Sequence, residues 1–329
     1  MNAKKANWAF LIAVAAYLLG SVLMAFLPDS VTSNLLLSNL LLEGILMLPI
    51  LFFAVIFREK LWDFLGFHKI KLGTILMIGL FTFLASPLLT LVNALSMFWV
   101  ENEAANIMEN YQVVNIPFGQ LLLSTAVIAP ICEEVTCRGG FYRSYKRSGG
   151  GLKAMLLSAV LFAFIHMNFN QASYAFVMGM MAVLLVEATG SIWSSIIYHG
   201  LINASTSLIA YITLQNDPQA YAQQEVTTEF LMYAVGMYLI ITAVMLPIAF
   251  AVLVWISKYE KRENFWNGLK WKQNLPVQEE TLINEERKEK KDKLITLPLI
   301  LALILCLLVM TGVMNAIIER AFIYVIKVL

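Results

Sequence analysis

Charge is scarce in this chain. Of 329 residues, 14% are charged, against about 25% in an ordinary soluble domain. A soluble globular enzyme and a disordered chain are both excluded. The three cysteines, Cys132, Cys137 and Cys306, sit in apolar context with no paired spacing. A disulfide scaffold and a zinc ribbon are therefore excluded, and the thiols read as small apolar filler. The net charge is +1, so no basic surface invites nucleic acid. Nor is there an internal repeat, which argues against a transporter.

Apolar residues fill the space that charge leaves. They make up 60% of the chain, enough for about nine or ten spans at ~20 residues each. Nine apolar runs are legible, at about 8–27, 34–57, 72–99, 118–146, 152–166, 172–189, 191–213, 230–257 and 295–318. The fold class expected is all-α, a polytopic membrane bundle of about nine helices. The first run is too long for a signal peptide and lacks a small-x-small cleavage site, so it reads as an uncleaved span.

Loop charges orient the bundle. Lys4 and Lys5 precede the first span. Arg58, Lys60, Lys69 and Lys71 join the second to the third, and Arg138, Arg143, Lys146, Arg147 and Lys153 follow the fourth. The intervening segments 28–33, 100–117 and 214–229 contain no Lys or Arg. The alternation places the N-terminus in the cytoplasm and the C-terminus outside a cell membrane. Loop 258–293 holds 18 of the 45 charges. Its mixed signs at helical spacing read as a solvated helix or tether, with docking or lipid contact as the sharper alternative.

Against this background a charge inside an apolar run needs a reason. The densest case runs from Ala129 to Gly140 and contains Glu133, Glu134 and Arg138. Glu134 and Arg138 are four apart and share a helical face, so an ion pair is the natural assignment. Glu133 points about 100° away and is left as the unpaired carboxylate, suited to general acid–base work. Packing, or a place at the cytoplasmic interface, is the plainer reading of both.

Only three histidines occur. His68 stands in a basic connection and reads as interfacial. His166 and His199 lie in apolar runs; Phe162 is four residues before the one and Asn203 four after the other. Glu133 precedes the Gly149-Gly150-Gly151 turn by sixteen residues, and His166 follows it by fifteen. On helical flanks both lie roughly 22–24 Å from the turn, hence level with each other. His199 follows the Thr189-Gly190 turn by nine residues, roughly 14 Å. The three can converge inside the membrane, on its cytoplasmic side.

A carboxylate can take a proton from water while a histidine holds that water. A second histidine and an amide can donate to an oxyanion. The chemistry fits acyl hydrolysis, most simply of a peptide. The set Glu133, His166 and His199 could instead ligate zinc and leave a position for water, although the HExxH signature is absent.

At these residues the chain resembles the CAAX-protease and bacteriocin-processing (CPBP, or Abi) family of intramembrane proteases, and within it the type II CAAX prenyl endopeptidases. The EExxxR motif matches Glu133, Glu134 and Arg138; FxxxH matches Phe162 and His166; HxxxN matches His199 and Asn203. The resemblance covers about 118–213, between N-terminal helices over 1–117 and C-terminal helices with the charged loop over 214–329. It implies a membrane-embedded endopeptidase acting on membrane-associated, prenylated or peptide substrates. Glu133 would activate water with help from His166, and His199 and Asn203 would stabilise the oxyanion. Glu134, Arg138 and Phe162 would support them. The family has been described both as metalloproteases and as glutamate proteases. No cofactor is favoured, with zinc as the alternative, because the Asn203 amide suits an oxyanion donor better than a metal ligand.

Cys137 stands where the family has an aromatic residue. Expected partners are the lipid bilayer and a peptide or protein substrate; no oligomeric state follows from the sequence. The competing reading is a non-catalytic scaffold or bacteriocin self-immunity protein that retains the fold. Among lesser candidates, Glu43 has no obvious partner in its span. Glu187 reads as interfacial, and Asn168 and Asn170 as either site-lining or capping.

Overall fold

The computed structural model describes residues 1–102, 115–217, 226–263, 265–270, 293–314 and 316. Among them every regular element is a helix, as the apolar runs require. Nine are longer than two turns: α1 Ala3–Met24, α2 Leu35–Ile56, α3 Leu72–Ser96, α4 Phe118–Gly149, α5 Gly151–Ile165, α6 Phe169–Thr189, α7 Trp193–Asn216, α8 Thr228–Tyr259 and α9 Leu297–Met310.

Local chemistry sets their ends. Asn2, Asn34, Asn168 and Thr227 cap α1, α2, α6 and α8, each side-chain oxygen accepting a first-turn backbone N–H. Gly150, at φ 95°, turns the chain sharply between α4 and α5, and Gly190, at φ 76°, ends α6.

The expected count of nine spans is not confirmed. Among the described residues six helices are long and apolar enough to cross a membrane: α1, α2, α3, α4, α6 and α8. α5 has 15 residues, about 22 Å at ~1.5 Å each, short of a ~30 Å hydrocarbon core. It stops where His166, Met167 at φ 52° and Asn168 reverse the chain. α9 has 14 residues and is followed by Gly312 at φ 73°. The ninth run, 295–318, lies partly outside the described residues, as does most of the charged loop 258–293. α7 is 24 residues long, but His199, Asn203 and a run of hydroxyls dilute its hydrophobicity. The chain is a multi-pass membrane protein.

Large apolar side chains such as Phe230, Met237, Ile240, Val244 and Ile248 of α8 point outward, while the buried face of α1 is mostly small, with Ala3, Ala6, Ala9 and Ala13 beside Phe10 and Val14. Hydrophobicity does not drive helices together in lipid; small residues let their backbones approach. α1 lies against α2 and α9, α5 against α6, and α3 against α8. Asn7, fully buried, ties three segments together. It accepts from the Tyr145 hydroxyl at 2.7 Å and donates to Leu294 O and Thr296 Oγ1 at 2.9 and 2.8 Å.

Candidate active site

The site is built on an irregularity in α4. Pro130 has no N–H, and its ring crowds the carbonyl four residues back, which is Ala126. Ahead of it the helix widens into a π-helical stretch over Leu123–Ile128, and a second follows over Val135–Tyr142. Such wide turns free backbone carbonyls for other partners. Two of these carbonyls receive α7. Asn203 donates its amide to Thr125 O at 2.8 Å. Ala126 O lies so close to Gly200 that a Cβ there would stand 2.7 Å from it. A glycine beside His199 is thus what lets α7 press its imidazole against α4.

Between the two wide stretches, Ala129–Glu134 carries the adjacent carboxylates. Glu134 takes the expected partner: Arg138 Nη1 donates to its Oε1 at 2.8 Å, with both side chains fully buried. The same oxygen accepts from His199 Nδ1 at 3.0 Å. Asn203 Nδ2, which cannot accept, donates to His199 Nε2 at 3.2 Å. His199 thus donates from Nδ1 and accepts at Nε2. Both Asn203 amide protons are committed, one to Thr125 O and the longer bond to His199.

Glu133 is different. It is 8% exposed, its Oε2 is shielded with no hydrogen-bond partner, and His199 Nε2 stands 3.9 Å away, beyond hydrogen-bond range. Glu133 is the carboxylate left over, as the spacing of the motif requires.

Phe162 is the hub for the rest. Its ring meets His166 and His199 edge-on, at 5.0 and 5.6 Å between centroids, and takes the Arg138 guanidinium 4.1 Å from its centroid. His166 Nδ1 donates to the Phe162 carbonyl at 2.8 Å, so Nε2 keeps its lone pair. The structure therefore links Glu134, Arg138, His199 and Asn203 by hydrogen bonds. Glu133 lies beside them, and His166 joins through Phe162.

These donors do not form a metal cradle. The lone pair of His199 Nε2 faces the Asn203 amide, which leaves His166 Nε2 as the free imidazole nitrogen. Among the described residues no group of three His, Cys, Asp or Glu side chains is disposed to hold an ion.

Other candidates fall elsewhere. Asn168 caps α6, accepting from Gln171 N at 2.7 Å, while Asn170 donates to Asn93 Oδ1 and Ser96 Oγ at 2.8 and 3.0 Å. Cys132, Cys137 and Cys306 are buried free thiols. Glu187, in the last turn of α6, is packed against its neighbours. It is buried and accepts from Tyr142 Oη at 2.8 Å and Lys146 Nζ at 2.6 Å, and its backbone carbonyl accepts from Arg262 Nε at 3.0 Å. Tyr142 and Lys146 follow Arg138 on the same helix at helical spacing, a signal that the sequence carried. Gly200 had none, because its constraint comes from another helix.

Residues 116–205 match the family model of the Rce1-like type II CAAX prenyl endopeptidases. The matched stretch holds all seven motif positions, and the resemblance read from those motifs is that of a protease family. No curated protein and no solved structure matches the chain.

Proposed function

We propose that the protein is an intramembrane endopeptidase of the CAAX type that hydrolyses peptide bonds of membrane-associated, prenylated or peptide substrates. One observation carries this reading. A buried carboxylate with a free oxygen, Glu133, lies against a hydrogen-bonded His–Glu–Arg chain inside the segment that matches a protease family.

In this reading Glu133 takes a proton from water, held by the free Nε2 of His166, and the oxygen adds to the substrate carbonyl. Asn203 exchanges its long bond to His199 for the developing oxyanion. Glu134 keeps His199 in register and Arg138 neutralises Glu134 within the bilayer. Glu133 then returns its proton to the leaving nitrogen, and the carbon–nitrogen bond breaks. The glutamate mechanism is preferred to zinc because both His199 nitrogens are engaged, which leaves His166 Nε2 as a single imidazole ligand. Residues 118–213 form the catalytic core between flanking helices. Cleavage occurs near the cytoplasmic side of a cell membrane, with the N-terminus in the cytoplasm and the C-terminus outside.

The test is cleavage of prenylated and unprenylated membrane peptides by full-length protein in liposomes. Glu133→Gln is expected to lower turnover by at least ~100-fold, the scale of a lost general base. Undiminished turnover in that variant would refute the reading. A strong chelator is expected to leave turnover unchanged; loss restored by added zinc would replace the glutamate mechanism with a metal one.

A further inference from the structure

α2 brings a second carboxylate to the site, one that the mechanism above does not use. Glu43 sits in the middle of an apolar helix whose Leu37, Leu40, Leu41 and Leu48 are exposed. An ionisable residue there is costly and calls for a partner.

Cross-helix contacts locate it. α2 and α4 run parallel: Gln120 donates to Asn34 Oδ1 at 3.2 Å, Asn39 Nδ2 donates to Ser124 O and Oγ at 3.0 and 2.9 Å, and Ile50 packs onto Gly140. In this register Glu43 falls level with about Pro130, offset along the helix axis from Glu133 by roughly one turn, ~5 Å. Its side chain shares a face with Asn39, four residues earlier, which is already turned to α4.

The two residues have the same deficit. Oε2 of Glu43 and Oε2 of Glu133 are both shielded, and neither has a hydrogen-bond partner. Arg138 is paired with Glu134 through Nη1. An ionised carboxylate only accepts, whereas a protonated one also donates. One proton therefore satisfies both oxygens and leaves a single negative charge in the apolar interior.

We propose that Glu43 is a positioning residue for Glu133: protonated, it donates a hydrogen bond to the Glu133 carboxylate and fixes that group's orientation toward the attacking water. Such O–H···O⁻ bonds are short and strong. The assignment rests on Glu133 being the base, but part of its test does not require activity.

Two measurements on full-length protein in liposomes decide it. Infrared spectroscopy at neutral pH is expected to show the C=O stretch of a protonated carboxyl in the wild type. That band disappears in Glu43→Gln and shifts in Glu133→Gln, which removes its acceptor. A band untouched by Glu43→Gln overturns the proposal. In kinetics with a farnesylated quenched-fluorescence peptide, Glu43→Leu is expected to lower kcat about ten- to a hundred-fold, the scale of a lost hydrogen bond to a charged group, with KM within about twofold. Glu43→Gln, which keeps an N–H donor, recovers most of kcat. Wild-type kcat in Glu43→Leu, or equal losses in both variants, also overturns it. Activity that survives Glu133→Gln would defeat Glu133 as the base instead, while the infrared result would stand independently.

Discussion

α4 serves two buried carboxylates in opposite ways. Toward the predicted cytoplasmic end, Glu187 of α6 receives the Tyr142 hydroxyl and the Lys146 ammonium of α4. Both donors reach its Oε1, and neither of its carboxylate oxygens is left buried and unpartnered. One to three turns away, the group around Glu133 and Glu134 is open. Glu133 Oε2, Glu134 Oε2, Arg138 Nε and Arg138 Nη2 are all shielded without protein partners. Buried polar groups in native proteins are normally satisfied, and clustered exceptions need an explanation. A cluster that only holds helices together leaves no buried polar atom without a partner. A site that must bind water and a substrate carbonyl keeps some of its capacity free.

Substitutions at the two clusters should therefore separate. The largest contrast is expected from Arg138→Met, which leaves the Glu134 charge buried and alone. Breaking a buried pair in this way costs about 3–5 kcal/mol, read as a lower midpoint of thermal unfolding in detergent, and turnover of the surviving folded protein should fall too because His199 loses its anchor. Unchanged midpoint and turnover would remove the distinction between the clusters. Next comes Glu187→Gln. It should cost about 1–3 kcal/mol through unpaired buried donors, while turnover per folded molecule stays within about twofold of wild type. A large catalytic loss there would mean that the Glu187 cluster shares in the chemistry. The smallest effect is expected from Gly200→Ala. Its Cβ would meet Ala126 O at 2.7 Å, and overpacking of this kind costs about 1–3 kcal/mol. α7 must shift, so kcat should fall more than KM rises; wild-type kcat would show that α7 can give way without moving His199.

The all-helical fold was legible because each apolar run is long and bounded by charge or glycine. The number of spans was not. Whether α5 crosses is decided by the reversal at His166 to Asn168, which hydropathy cannot register. The motif residues were legible because a charge or histidine in an apolar run stands out, and Glu134 with Arg138 could be paired by spacing alone. Relations between helices were hidden. The partners of Glu187 were hidden because they lie some forty residues away, and Glu43 looked solitary because its neighbour lies on a parallel helix. Gly200 looked unremarkable because its reason is a carbonyl freed by Pro130 on α4.

The central claim is that the unpartnered carboxylate does the chemistry and the satisfied one does not. The most direct test is single-turnover cleavage of a membrane-anchored peptide by Glu133→Gln and Glu187→Gln, each at matched folded concentration in the same liposomes. Glu133→Gln should be slowed by at least ~100-fold, with Glu187→Gln within about twofold of wild type. Equal rates in the two variants would contradict the account.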